Sequence, residues 1–95
     1  MYAVLSEVNA TEAHTEAGRK FLNQNAVPGA RAGGAKAGYW LAPQNGRGIG
    51  VVVFDTEDEA RAAAAQFTVG EPPGPGAPEG VTVTTVEVRE VLASV

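Results

Sequence analysis

Apolar and polar positions along this chain alternate in runs that predict six elements in the order strand, helix, strand, strand, helix, strand. Residues 1–9 are short and apolar-rich and are bounded by Asn9-Ala10-Thr11, which predicts a first strand leading into a helix start. From Thr11 to about Asn25 there is no proline, and Ala13, Ala17 and Phe21 recur every fourth residue. That spacing predicts a helix with a narrow apolar stripe. Gly18 weakens it, so this helix depends on packing. Val27-Pro28-Gly29 is expected to end it, because proline cannot continue the hydrogen-bond ladder.

Residues 30–38 are rich in Ala and Gly and leave the start of the second strand open; Tyr39-Trp40-Leu41 is its firm part. Asn45-Gly46 predicts a two-residue primed turn, which needs positive φ at both central positions. Pro43, just before it, marks an edge strand or a strand end. The third strand runs from about Arg47 to Phe54, and Thr56-x-x-Glu59 is a capping box for a second helix. Ala60, Ala63, Ala64 and Phe67 follow the helical i, i+3, i+4, i+7 pattern. Residues 70–80 hold too many prolines and glycines for regular structure, and the β-branched run Val81–Val88 predicts the last strand.

The order βαββαβ predicts an α+β fold: a ferredoxin-like sandwich of one domain over residues 1–95, with a four-stranded antiparallel sheet and two helices on one face. Within the third strand Ile49, Val51 and Val53 point to one face, and Gly50, Val52 and Phe54 to the other. Both faces are therefore apolar. A sheet with one wet face alternates apolar with polar, so the face without helices calls for a cover. The most economical cover is the same face of a second copy, which makes Ile49, Val51 and Val53 the expected interface of an isologous homodimer.

A chain of 95 residues builds a marginal core, and this strengthens the expectation of a dimer. Seven basic side chains against eleven acidic ones, a formal charge of −4, give no electrostatic footprint for nucleic acid or an anionic membrane. With no cysteine there is no disulfide, thiolate metal site or thiol nucleophile. The first residues lack a basic segment and reach Glu7 early, and no apolar run is long enough to span a bilayer, so the expected location is the cytoplasm.

Chemistry is harder to find. Arg47-Gly48-Ile49-Gly50-Val51-Val52-Val53-Phe54 follows much of the RNA-recognition octamer on the expected strand, but Ile49 and Val51 stand where that motif stacks bases on aromatics. RNA binding is thereby disfavoured. Gly46-x-Gly48-x-Gly50 opens a strand instead of linking a strand to a helix, so it is no dinucleotide fingerprint. The acidic run Asp55, Glu57, Asp58 and Glu59 suits a helix N-terminus and lacks calcium-loop spacing. His14 is the default general base, weighed against a solvated helix histidine. Trp40 is a candidate stacking surface, weighed against core filling, and Tyr39 points to the opposite face. Asn9 is read as the cap of the first helix, with carbonyl binding as its alternative. The 70–80 loop is read as a slack connector, with a lid as its alternative.

The βαββαβ order, Pro-Gly before a Tyr-Trp-Leu strand, the Asn-Gly turn and Val-Val-Val-Phe-Asp running into Thr-Glu-Asp-Glu-Ala-Arg-Ala-Ala together resemble the dimeric α/β-barrel superfamily. More narrowly, they resemble small bacterial proteins of the antibiotic biosynthesis monooxygenase group. The resemblance implies a homodimer with facing sheets and a pocket between sheet and helices for a hydrophobic aromatic molecule. Haem-degrading members carry a histidine ligand on the second helix; residues 57–67 contain none, so haem is set aside. Cofactor-independent quinone-oxidising members use Trp, Asn and Tyr side chains, types matched here by Trp40, Asn9 and Tyr39. Two functions follow as expectations: a binder or cofactor-free oxidiser of an aromatic small molecule, which requires a sheltered cavity, or a non-catalytic dimerisation module, which requires none.

Overall fold

Asn45 and Gly46 carry φ of 55° and 76°, the primed turn that their sequence predicts, and this turn sets the register of the strands on either side. The computed structural model describes residues 1–95. Strands β1 (Tyr2–Asn9), β2 (Ala37–Gln44), β3 (Arg47–Phe54) and β4 (Val83–Glu90) form one antiparallel sheet in the order β2-β3-β1-β4. The result is an α+β fold compatible with a ferredoxin-like sandwich. β2 is an edge strand, and its register with β3 shifts between Leu41 and Gln44, around Pro43. The last strand starts two residues later than its β-branched run, because Val81 and Thr82 lie outside the ladder.

The first helical region departs most from expectation. It consists of a 3₁₀ turn (Glu12–His14), α1 (Thr15–Phe21), a π-helical stretch (Leu22–Ala26) and α2 (Val27–Ala32), all in helical backbone geometry. Val27-Pro28-Gly29 therefore does not end the helix. In the wide stretch the Val27 N–H donates to Leu22 O, five residues back, and Pro28 falls at the start of α2 where its missing N–H costs no further bond. The stop lies at Gly33-Gly34. Gly34 has φ of 96°, its N–H donates to Arg31 O and the Ala35 N–H to Ala30 O, which is a Schellman closure. Ala13 and Ala17 are exposed, and of the expected stripe only Phe21 is buried.

Helix α3 (Glu57–Ala64) begins as its capping box predicts: the Glu59 N–H donates to Thr56 Oγ1 at 3.1 Å and the Thr56 N–H to Glu59 Oε1 at 3.2 Å. Thr56→Ala is expected to lower stability by about 1 kcal/mol in chemical denaturation; no loss would mean that the box is dispensable. α3 packs directly on β1, β3 and β4, closing a small core of Val4, Phe54 and Ala60. α1 and α2 stand off the sheet. The sandwich is thus filled under one helix and hollow under the other.

The opposite face of the sheet carries Tyr39 and Leu41 from β2, Ile49, Val51 and Val53 from β3 and Leu5 from β1, brought side by side by the register. Tyr39 and Leu41 are 68% and 56% exposed. Tyr39, Val51 and Leu5 form an apolar row across three strands. Glu7 lies beside Ile49 in the next row, 3.1 Å from Arg47, and on the edge strand β4 Glu87 lies 2.6 Å from Arg89. No helix of the chain is long and apolar enough to cross a membrane.

Candidate functional site

Between the inner face of the sheet and the standing-off helix lies a half-open cavity of about 970 Å³. Glycines make the space. Gly38, Gly48 and Gly50 occupy inward-pointing positions on β2 and β3, where any side chain would stand in the cavity. A β-carbon on Gly48 would come 3.0 Å from Val8 Cγ2. Gly18 of α1 faces the same space with nothing within 4 Å of its own β-carbon position. An alanine there would make a better helix by up to about 1 kcal/mol, so the glycine keeps room at the expense of helix stability.

Trp40 lies on the cavity floor. A β-carbon on Gly50, its cross-strand neighbour, would meet Trp40 Cδ1 at 2.8 Å and Nε1 at 3.0 Å; one on Gly38 would meet Cη2 at 3.3 Å and Cζ3 at 3.4 Å. The two ends of the indole thus rest over two glycines, and its long axis runs along the sheet. Ser6 on β1, the partner of Gly50 on the other side, places its Oγ 3.0 Å from the same β-carbon position. Neither Trp40 Nε1 nor Ser6 Oγ has a hydrogen-bond partner in the chain.

His14 also lines the cavity, but its ring is already engaged. The Thr11 N–H donates to His14 Nδ1 at 3.0 Å, a capping-box contact with histidine in the place glutamate usually takes. The contact ties the His14 ring to the start of the helical region. Asn9 does not cap the helix. Thr11 is the capping residue, while Asn9 Oδ1 accepts from Thr82 N–H at 2.6 Å and from Thr82 Oγ1 at 3.1 Å, pinning the approach to β4. It is not part of the cavity wall. Tyr39 alternates with Trp40 along β2 and pairs with Val51, which puts its side chain on the outer face with Ile49, Val51 and Val53.

The 70–80 loop is anchored, in contrast to the slack connector its glycines suggest. The Gly70 N–H donates to Val83 O and the Val83 N–H to Glu71 O, both at 2.8 Å. Gly74 lies against Phe21, and Pro73, Pro75 and Pro78 form part of the cavity wall. No three or more His, Asp or Glu side chains converge anywhere in the chain, so the side chains offer no ready metal-ligand set.

No family model matches the chain, and no curated protein matches it. Its site is therefore read from its own residues. Three of those, Ser6, Gly38 and Gly50, had no place among the sequence candidates. The available signal was a polar residue and two glycines at apolar-phase positions of strands, which means something only once the register with Trp40 is known.

Proposed function

We propose that this chain binds a planar, largely apolar small molecule in the sheet–helix cavity, stacked on Trp40. The observation that carries the reading is the indole lying over Gly38 and Gly50 on the floor of a cavity of about 970 Å³. Pockets for molecules of drug size fall at or below that volume and combine apolar walls with a few polar atoms. A dimerisation module with no ligand has no use for such a hollow, since empty apolar space forgoes packing.

The outer face supports the second half of the proposal, a homodimer. Its apolar strip is bordered by side chains of both charges, so two copies related by a two-fold axis can bring opposite signs together at the margins. With two sheets face to face the assembly is a dimeric α/β barrel. Kinship with the antibiotic biosynthesis monooxygenase group, and with it cofactor-free oxidation of the bound ring, rests on the sequence resemblance alone. Binding is the part that the residues themselves support.

A titration of ¹⁵N-labelled protein with naphthalene tests the binding reading. The chain has one tryptophan, so its indole N–H gives a single, unambiguous NMR signal. That signal is expected to shift saturably in the native chain. In Gly18→Phe, which places a ring in the cavity from the helix side, affinity is expected to fall at least about tenfold, since a blocked pocket loses the ligand's apolar burial. A native indole signal that does not move, or one that moves equally in Gly18→Phe, overturns the reading.

A further inference from the structure

We infer that residues 72–80 form a hinged flap, which lifts away from α1 and the π-helical stretch to admit the ligand and then closes the cavity beside it. Such a flap presupposes the planar-ligand reading and gives that ligand its way in.

The feet of the flap are fixed. On one side the Val83 N–H donates to Glu71 O at 2.8 Å; on the other Val81 is buried, at 5% exposure. Between the feet the backbone bonds are local turns, from the Ala77 N–H to Gly74 O and from the Val81 N–H to Pro78 O, both at 3.2 Å. No hydrogen bond, from main chain or side chain, joins residues 72–80 to the helices. Contact alone closes that seam: a β-carbon on Gly74 would stand 3.3 Å from Phe21 Cζ, and one on Gly76 3.7 Å from Asn25 Nδ2. The flap can therefore part from the helices without breaking a hydrogen bond. Apolar burial returns it, because Phe21, 7% exposed, loses part of its cover when the flap lifts.

The composition of the segment suits a rigid flap better than a slack one. Pro72, Pro73, Pro75 and Pro78 fix φ at four of the nine positions, so the segment has little freedom to deform and moves as a unit. Gly80 is the pivot at the second foot: it has φ of 84° and nothing within 4 Å of its β-carbon position. A residue of that kind absorbs a large change of backbone angle at little cost. On the inner side Pro73, Gly74, Pro75 and Pro78 border the cavity, so lifting the flap opens the cavity to solvent.

The chain has no cysteine, so Asn25→Cys combined with Pro75→Cys gives a single pair of thiols, one on each side of the seam, which a short bismaleimide joins. Both positions are exposed, so neither substitution empties the core, and intact mass establishes the link. Linked before naphthalene is added, the chain is expected to take it up at least about tenfold more slowly than the same variant unlinked, read from the Trp40 indole signal. Linked after naphthalene has bound, it is expected to release it at least about tenfold more slowly. Equal uptake in the linked and unlinked chains would mean that the ligand enters elsewhere, and slow uptake without slow release would mean that the linker only spoils the cavity. Either result overturns the flap and leaves the planar-ligand reading in place. A thiol pair that the linker does not join overturns the closed position itself. If neither the native chain nor the unlinked variant responds to naphthalene, the planar-ligand reading falls and takes the flap with it.

Discussion

Phe54→Ala is expected to remove about 3–5 kcal/mol of stability, enough to leave the domain close to unfolding at room temperature. Phe54 is 1% exposed, and it and Val83 are the largest fully buried side chains. It lies where β3, β1 and α3 meet, against Val4 and Ala60, with Val52, Ala63 and Ala64 around it. These neighbours are small and already in place, so they have little freedom to collapse into the void. The penalty is therefore expected toward the upper part of the range. Phe67 provides the comparison: both rings border the cavity, but Phe67 is only half-buried, so its truncation removes less contact. Chemical denaturation of both variants at one protein concentration checks this, since an associating chain has a concentration-dependent midpoint. A loss below about 1 kcal/mol for Phe54→Ala would mean that the layer under α3 is not the core.

This division of the sandwich into a filled and a hollow half was only partly legible in the sequence. The strands, the Asn45-Gly46 turn and the α3 capping box are local features, and each is fixed by residues within a few positions of one another. Pro28 misled because its rule is local too. A proline does break an α-helical ladder, but one wide turn upstream places it where a helix can restart, and the Gly33-Gly34 pair then supplies the stop. The His14 contact was hidden for a similar reason: Thr-x-x-His is not the usual box, yet the imidazole reaches back to the Thr11 N–H as a glutamate would. Other features had no local signature. Asn9 and Thr82 meet across the sheet, 73 residues apart. Gly38 and Gly50 read separately as weak points in strands, and only the pairing of Trp40 with Gly50 turns them into the support of an indole.

Val51→Asp is expected to convert the protein from the mass of two chains to the mass of one at micromolar concentration. Val51 lies centrally on the outer face, paired with Leu5 on β1 and with Tyr39 on β2. In the proposed dimer an aspartate there faces the same apolar strip of the second copy, and the two-fold axis places two such carboxylates in one interface. Each would lose water without gaining a cation, because Arg47 and Arg89 are already paired with Glu7 and Glu87. An unpaired buried charge costs several kilocalories per mole, so the dissociation constant should rise by at least about a hundredfold. In a single chain the same aspartate points to solvent, and the cavity, the α3 core and the Trp40 floor lie on the other face. Leu41→Asp, at a position already 56% exposed, is expected to act in the same way with less risk to folding. Sedimentation equilibrium reads the mass, and circular dichroism establishes that the variants remain folded. A native chain that sediments as one copy removes the dimer outright. A native dimer that survives both substitutions moves its interface away from Ile49, Val51 and Val53, leaving the apolar outer face in need of a different cover.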